Sequence, residues 1–513
     1  MSQRVTIEVP VNRVEGDLEI RVELEGGVVS NAWCSGTMYR GFERILVGRG
    51  AMDGLVVTPR VCGICSTAHL MAASRALDMI VHAEPPPDAT RMRNVTLMTE
   101  HIQSDMRHAF LMFAVDFVNP IYKARPLFAE AVRRYEPFKG QTVLEVIRET
   151  KKVLEIVAII GGQWPHSSYM VPGGIVSVPG RGDLRQCRLL LKQYRDWYER
   201  RVLGCSLSRW LDVRRASDLD VWLEESDAHR ESELGFFIRF AREIGLDGIG
   251  KGHGNFVSYG SFELPEGTQV RGPRRDGLLV PAGFAQGTRV RPFDQMKIVE
   301  HTDYSWYKPS EGGKHPEEGE TEPYATGHEG KRYSWAKAPR YEGAPAETGP
   351  LAEMIVAGSP LFADLVNRGG SSVLVRELAR LTRPCELIPA MEMWLTEAVG
   401  DGTYYKAPTE IATGEGYGLT EAARGALGHW VRIRNGFIEH YQIITPTAWH
   451  ASPRDASGVR GTTEEALVGT AVADPANPVE LGHVVRSFDH CLVCTVHTIR
   501  RGRELGRITV GGA

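Results

Sequence analysis

The pattern of apolar and polar residues predicts two N-terminal strands followed mainly by helices. Two short runs near the N-terminus, VTIEV and LEIRVEL, alternate apolar and polar positions and are bounded by glycines, as in strands joined by turns. The segment STAHLMAASRALDMIVHA has a helical period, and the prolines at 85–87 separate it from a second long helix over 92–117. Further helices are predicted over 142–160, 183–201, 226–244, 350–381 and 384–398.

The segment 258–349 interrupts this helical pattern. It is rich in glycine, proline, charged and aromatic residues and has only weak periodicity, which predicts exposed or partner-covering loops. No internal repeat is visible in the sequence. We therefore expect a mainly α fold with a minority of short β strands (α+β), formed as one large domain with irregular insertions rather than as several domains.

Composition and charge narrow the possible partners. The chain has 513 residues, a formal net charge of -4 and 42% hydrophobic residues, which are ordinary values for a globular protein with a substantial core. The nearly balanced charge argues against nucleic acid as a partner. Neither a signal peptide nor a transmembrane helix is predicted. We expect a cytoplasmic chain that a partner subunit could attach to a membrane.

The eight cysteines divide into two C-x-x-C pairs and four isolated residues. The pairs, Cys62 with Cys65 and Cys491 with Cys494, lie near opposite ends of the chain and suit a tetrahedral metal or iron–sulfur site. A zinc ribbon usually has its pairs about 15 to 20 residues apart, so this spacing favours a buried catalytic metal. Structural zinc and unligated redox thiols stay open as alternatives. The isolated cysteines are expected to be small buried residues: Cys34, Cys187, Cys205 and Cys385.

One face of the second long helix carries His101, Asp105 and His108 at positions i, i+4 and i+7. A solvated polar face is the simpler interpretation of this spacing. Two histidines and an aspartate could also bind a metal or line a polar cavity. The sequence leaves these alternatives undecided.

The cysteine motifs resemble the two metal-binding signatures of nickel–iron hydrogenase large subunits. These motifs are RVCGICSTAH at 60–69 and SFDHCLVCTVH at 487–497, and the second is most like the cyanobacterial-type uptake enzymes and their hydrogen-sensing relatives. Other motifs correspond to that family in the same order: NRVEG at 12–16, RGFE at 40–43, GGQWPHSSYMVPGG at 161–174, YSWAKAPRY at 333–341, EAARGALGHW at 421–430 and PTAWHASPRD at 446–455.

The resemblance implies a nickel atom held by all four paired cysteines. By motif position, Cys62 and Cys491 would be terminal nickel ligands, while Cys65 and Cys494 would bridge to an iron. Thiolates suit this role because they are soft, strongly donating and able to bridge two metals. The iron in this family carries carbon monoxide and two cyanides.

Further residues are implied around these metals. Arg424 and Thr447 occupy the positions that contact the cyanides, as a cation and a hydroxyl donor, and His69 would donate from its ring toward the metal-site sulfur. Asp105 aligns with an aspartate near the metal pocket, and Asp489 with the aspartate that precedes the last signature.

Two more functions follow from the resemblance. Glu15 matches the glutamate that passes protons from a terminal cysteine, here Cys491, and burial beside a metal thiolate can raise a glutamate pKa as such a relay requires. Glu43 and His497 match positions that bind a structural magnesium, although imidazole is an unusual ligand for that hard ion.

Three departures from the family pattern surround the expected site. His490 replaces a proline beside Cys491, Ala423 replaces a proline beside Arg424, and His450 replaces an asparagine. Losing two prolines loosens the backbone, and His490 adds a titratable group next to a nickel ligand. None of these changes removes a metal ligand.

The resemblance predicts the catalytic subunit of an uptake hydrogenase, which oxidises dihydrogen heterolytically to protons and electrons. The isolated cysteines have no cluster spacing, so an iron–sulfur small subunit is implied as the electron acceptor, with a quinone or other acceptor reached through further partners and a higher oligomer of the heterodimer. A hydrogen-sensing subunit is the main alternative. A quinone-reductase subunit of respiratory complexes would lack these cysteine pairs, and a structural zinc protein would hold zinc alone.

The chain extends past the last motif histidine. We expect a catalytic domain over 1–497 and a C-terminal extension over 498–513 that is removed after His497 once nickel is inserted. The alternative is a permanent C-terminal strand, since ELGRITV has a short alternating pattern.

Overall fold

A computed structural model describes residues 4–265, 277–308, 313–327 and 330–492. The expected bridging ligand Cys494, the expected magnesium ligand His497 and the extension 498–513 lie outside the described residues.

The N-terminal region forms an antiparallel sheet of three strands, β1 (Arg4–Val11), β2 (Leu18–Glu25) and β3 (Val28–Gly36). Alternate side chains of β2 are buried, as expected for a strand with one face on the core. The first two strands were predicted. The third follows the Gly26-Gly27 turn, where both glycines have positive φ.

Helices make up most of the first half of the chain. The first seven are α1 (Phe42–Leu46), α2 (Gly54–Val57), α3 (Ser66–Ile80), α4 (Pro87–Arg107), α5 (Phe128–Tyr135), α6 (Gln141–Val153) and α7 (Glu155–Gly161). A short hairpin of β4 (Met170–Val171) and β5 (Gly174–Ile175) precedes α8 (Arg181–Trp197), α9 (Leu207–Leu211), α10 (Ala216–Glu225), α11 (Asp227–Glu231) and α12 (Glu233–Glu243). The predicted helix over 226–244 is divided at Ser232, whose hydroxyl caps α12 by accepting from the Gly235 amide.

The prediction of exposed loops over 258–349 is wrong for much of the described part of that segment. It contains most of β6 (Asn255–Glu263) and all of β7 (Leu278–Gln286), β8 (Arg289–Arg291), β9 (Ile298–His301) and β10 (Ala338–Tyr341). Strands β6 to β8 form one antiparallel sheet, and β9 pairs with β10. Several large side chains here, including Trp306, Trp335 and Arg340, are buried.

Four helices follow, in the region where two long ones were predicted: α13 (Pro350–Val356), α14 (Pro360–Gly369), α15 (Val373–Thr382) and α16 (Pro384–Glu397). The predicted helix over 350–381 is interrupted twice, near Gly358 and Gly370, which both have positive φ.

The next element is an antiparallel sheet of β11 (Gly414–Ala422), β12 (Gly425–Arg434) and β13 (Phe437–Ile444), which the sequence pattern did not predict. Strand β11 lies directly on α3. A Cβ atom added at Gly418 would come within 1.8 Å of the Ala72 carbonyl oxygen, so only glycine allows this approach. The hairpin between β11 and β12 therefore has a fixed position beside the start of α3.

Helices α17 (Pro446–His450), α18 (Thr462–Leu467) and α19 (Val479–Ser487) return the chain to the N-terminal sheet. The Val29 amide donates to the Thr470 carbonyl at 2.9 Å, and Glu15 forms a parallel bridge with Cys491. One continuous apolar core extends from Ile7 to Leu492. The predicted α+β class and the meeting of the two chain ends are confirmed. Among the described helices, none has the length and apolar character needed to cross a membrane.

Candidate metal centre

Three cysteine sulfurs from opposite ends of the chain converge in the interior. The Sγ atoms of Cys62, Cys65 and Cys491 all lie within 4.8 Å of one another, and all three residues are buried. The Sγ atoms of Cys62 and Cys491 are 3.4 Å apart. Because none of the three forms a disulfide, their thiolates could share a single soft metal site.

The isolated cysteines do not belong to this cluster. Cys34, Cys187 and Cys385 are buried as predicted, whereas Cys205 is partly exposed. Among the described residues, the three converging cysteines are the one group of three or more His, Cys, Asp or Glu side chains arranged to hold a metal ion.

The first cysteine pair is held by the start of α3. Cys65 immediately precedes this helix, whose first backbone amides have no partner within the helix. Glu100 of α4 accepts from two of them, Thr67 N at 2.9 Å and Ala68 N at 3.2 Å. Burial raises the pKa of Glu100 to about 7, although these bonds oppose the shift. No motif in the sequence pointed to Glu100.

The position of Cys491 is set by its backbone. Its amide donates to Thr447 Oγ1 at 2.8 Å, which leaves the hydroxyl hydrogen of Thr447 available to donate elsewhere. The Glu15 amide donates to the His490 carbonyl at 3.3 Å, and the Leu492 amide donates to the Glu15 carbonyl. The N-terminal NRVEG motif therefore fixes the last cysteine signature directly.

Arg424 occupies the tip of the β11–β12 hairpin. Its Nε donates to Asp489 Oδ1 at 3.0 Å, while its Nη1 is buried and has no hydrogen-bond partner within the described parts of the chain. Burial lowers the pKa of Arg424, but the charges of Asp489 and of the three cysteines hold it well above its ordinary value. A charged, dry donor without a partner indicates that a ligand belongs beside it.

Asp489 is the main counter-charge of Arg424. His108 Nδ1 lies 2.8 Å from the same carboxylate oxygen. Burial raises the pKa of Asp489, but the charges of Arg424 and His108 outweigh burial and hold the pKa well below its usual range. Asp489 therefore stays ionised and orients Arg424.

Glu15 is partly buried beside the same groups. Burial makes the largest contribution to raising its pKa, the charges of Cys62 and Asp489 raise it further, and Arg424 opposes them.

A family sequence model and several known proteins match this chain over most of its length. The sequence model of the nickel-dependent hydrogenase family matches residues 40–133 and 243–497. The chain belongs to this family. It is similar to the periplasmic [NiFeSe] hydrogenase large subunit of Desulfomicrobium baculatum, with 32% identity over 96% of this chain and 94% of that protein. It is also similar to the uptake hydrogenase large subunit of Rhodobacter capsulatus, with 29% identity over 97% of this chain and 95% of the relative.

The fold agrees with a solved hydrogenase. The oxidised Ni-Fe-Se hydrogenase of D. vulgaris Hildenborough superimposes with a TM-score of 0.81 and 30% sequence identity, covering 96% of this chain and all of that one. The chain is therefore a hydrogenase large subunit, an oxidoreductase that oxidises dihydrogen at a nickel and iron site and works with a small subunit.

His69 lies one helical turn after Cys65 in this hydrogenase. Its Nδ1 is 3.0 Å from His429 Nε2, and His429 Nδ1 is 2.9 Å from the Tyr441 hydroxyl. Burial lowers the pKa of His69 to about 4, although the charge of Cys62 opposes the shift. His69 was named from the sequence as a site residue, whereas neither Tyr441 nor His429, which lies within the EAARGALGHW motif, was named.

Asp105, which was expected near the metal pocket, is paired with a buried arginine. Both of its oxygens accept from Arg383, at 2.9 and 2.7 Å, and Arg383 also donates to the Ala423 carbonyl at 2.7 Å. Asp105 therefore acts on the hairpin that carries Arg424, and no contact with a described cysteine is seen.

The face of α4 that carries His101 and Asp105, continued by His108, is buried. The interpretation as a solvated polar face is therefore wrong. Within the described ranges these side chains form no metal-binding group, and they join a buried network of hydrogen bonds and charges.

Glu43 lies in a second polar site. It accepts from the Ile443 amide at 2.9 Å and lies 3.4 Å from Lys337 Nζ, which contacts Glu300 at 3.0 Å and Gln442 at 2.6 Å. Glu43, Glu300, Lys337 and Ile443 line a cavity of about 30 Å³. Glu300 Oε1 is buried without a partner among the described residues. Two carboxylates against one ammonium leave a net negative charge, which suits a small cation.

The two histidines that depart from the family pattern are buried. His490 Nε2 is 3.2 Å from Thr463 Oγ1, and burial lowers the pKa of His490 to about 3. Burial also lowers the pKa of His450 well below its ordinary value. Both rings are therefore neutral near pH 7, so His490 adds no charge beside Cys491.

Proposed function

We propose that the converging cysteines hold a nickel–iron pair whose iron carries carbon monoxide and cyanide, and that Arg424 and Thr447 donate to these ligands. Cys494, outside the described residues, would supply the fourth thiolate. The observation that carries the proposal is the buried Nη1 of Arg424, a charged donor with no partner in the described part of the chain and with three cysteines as its electrostatic neighbours. The available hydroxyl hydrogen of Thr447 supports it.

The chain's own groups would move the proton. When bound, the metal pair supplies the Lewis acidity that makes dihydrogen acidic enough for a thiolate to deprotonate it. The Cys491 sulfur would hold that proton and Glu15 would carry it outward. Glu15 suits the task because its backbone is bonded on both sides of Cys491 and because its pKa is raised.

Infrared spectroscopy of the purified heteromer tests the metal proposal. Carbon monoxide and cyanide stretches are expected, together with nickel and with iron in excess of nickel, because the iron–sulfur small subunit adds its own iron. A nickel-replete preparation without these bands would contradict it, and zinc alone would indicate a structural site.

We also propose that Glu43, with His497, holds a magnesium ion. The unpartnered Glu300 oxygen and the net negative charge of the cavity support a cation there. Metal analysis of the Glu43→Gln variant should show loss of magnesium with nickel retained. Equal magnesium in both proteins would contradict the assignment.

The partner is proposed to be an iron–sulfur small subunit. Among the described residues the isolated cysteines form no group of three or more potential metal ligands, so this chain offers no second cluster there. A quinone or other acceptor would follow through further partners, in a higher oligomer of the heterodimer. We propose a cytoplasmic location with attachment to a membrane through partners. Cell fractionation tests this against the periplasmic location that the name of the D. baculatum relative states.

The hydrogen-sensing alternative would use the same ligands. The relatives described above are named as hydrogenases, including an uptake enzyme, and give that alternative no support. Turnover at the rate of an enzyme, with electrons delivered to a soluble dye, would separate the two.

The extension over 498–513 is proposed to be removed during maturation. In support, the match to the family ends at residue 497, where the boundary is expected. The physical reason is that a retained tail would keep the last cysteine signature from closing over the site before nickel arrives.

A further inference from the structure

We infer that Tyr441 and His429 are positioning residues that fix the ring hydrogen of His69 on Nε2, so that this histidine serves the sulfur cluster as a hydrogen-bond donor. The inference rests on the proposed metal site. It concerns two residues outside the cysteine motifs, His429 on β12 and Tyr441 on β13, which reach α3 through the sheet.

The donor-to-acceptor direction of this series of hydrogen bonds is set at Tyr441. Its side chain is 3% exposed, and among the described residues His429 Nδ1 is the partner of its hydroxyl. A buried hydroxyl that only accepted would leave its hydrogen unpaired, which is unfavourable in a dry interior. Tyr441 therefore donates, and His429 Nδ1 accepts.

The same donor-to-acceptor direction continues through the two histidines. A ring whose Nδ1 accepts has its one hydrogen on Nε2, so His429 donates from Nε2 to His69 Nδ1 across 3.0 Å. The hydrogen of His69 is left on Nε2.

These three hydrogen-bonded side chains orient a donor and do not form an exit for protons. All three side chains are buried, and the described structure gives Tyr441 no onward polar contact. His69 is one turn from Cys65, whose carbonyl accepts from its amide at 3.2 Å, and the charge of Cys62 acts on its ring. A donor held toward thiolates in a dry site withdraws electron density from them and so adjusts the bound metals.

The test uses Tyr441→Phe in the complete, metal-loaded heteromer. The change removes only the hydroxyl, after which the hydrogen of His69 is free to occupy either nitrogen. The infrared bands of the iron ligands should shift or split, with nickel content retained. The one-electron midpoint potential should fall as the redox equilibrium changes by roughly tenfold, equivalent to about 59 mV.

Three further variants make the result specific. Tyr194→Phe removes another buried hydroxyl, which donates to the Ile102 carbonyl at 2.8 Å, and it should leave the bands unchanged. His429→Gln should retain the parent bands, because its oxygen can accept from Tyr441 while its amide group donates to His69. His429→Leu should reproduce the Tyr441→Phe spectrum.

Each outcome decides a different claim. Parent bands in both Tyr441→Phe and His429→Leu would overturn the inference and leave the proposed metal site intact. Absence of the bands from the parent protein would overturn the metal site and the inference together. If Tyr441→Phe does not accumulate, the comparison of His429→Gln with His429→Leu decides, and identical spectra would overturn the inference.

Discussion

Replacing Arg424 with lysine should slow hydrogen oxidation without emptying the metal site. Arginine uses Nε for the 3.0 Å bond to Asp489 and keeps Nη1 for a second partner. Lysine has a single ammonium on a flexible stem, which can pair with Asp489 or reach the second partner but lacks the planar fork that does both.

The expected size of the effect follows from one lost charge-assisted hydrogen bond. Such a bond contributes about 1.5–3 kcal/mol, and about 1.36 kcal/mol corresponds to a factor of ten in rate. Turnover per nickel should therefore fall about 10- to 150-fold. The assay is dihydrogen oxidation with saturating artificial acceptor, normalised to nickel and accompanied by infrared spectra.

Arg340→Lys is the matched control. Arg340 is buried and its Nε donates to Asp455 Oδ2 at 2.9 Å, so the same substitution breaks a comparable pair that contacts none of the described cysteines. The control should lower thermal stability and leave the infrared bands unchanged. Parent turnover in Arg424→Lys, or a loss that only follows lost nickel, would refute the assignment of Arg424 to the iron ligands.

Four further predictions follow from the site and the C-terminal extension. Cys491→Ser should abolish activity and lower nickel content, because a soft thiolate beside Cys62 is lost; full nickel with parent turnover would exclude it as a ligand. Glu15→Gln should keep the metals but slow isotope exchange between dihydrogen and water, and an unchanged exchange rate would indicate another relay. Burial raises the pKa of Glu100 to about 7 from its ordinary value of 4.5. The stability that the protonated carboxyl contributes is therefore fully present below pH 4.5 and is lost as the pH rises through 7. Glu100→Gln should thus gain stability relative to the parent from about pH 5 to about pH 9, on the order of 3 kcal/mol in denaturant unfolding, and a pH-independent difference would show that Glu100 does not titrate. The intact mass of the active subunit should correspond to a chain that ends at His497. A mass that corresponds to an active chain still ending at Ala513 would contradict processing.

The sequence predicted those parts of the fold that local pattern determines. Helix α3 has a helical apolar period; it begins at Ser66 as predicted and ends at Ile80, whereas the predicted segment continued to residue 83. Strand β11 was missed because its glycines weaken any strand signal. Those glycines are needed where the strand lies against α3, as the 1.8 Å approach at Gly418 shows, and a contact between such distant segments leaves no periodic trace.

The residues of the candidate site likewise divide into those that the sequence identified and those that only the structure identified. Motifs identified Cys62 and Arg424 because fixed neighbours surround them in the sequence. Glu100, His429 and Tyr441 act through bonds to other elements, so their importance appears only when those elements meet. Asp105 was named from its alignment, whereas its pairing with Arg383 became visible only in the structure.

The joining of the chain ends has an electrostatic cost that explains why metal and fold depend on each other. Cys62, Cys65 and Cys491 lie within 4.8 Å of one another, so in the ionised form that binds metal they repel strongly in a dry interior. Arg424 is one buried cation against these thiolates, and Asp489 already balances its charge. Bound metal cations would therefore supply the missing positive charge, and their binding would release thiol protons. Since the same cysteines fix the junction between the NRVEG motif and the last signature, metal loading should stabilise the meeting of the two chain ends as well as the active site.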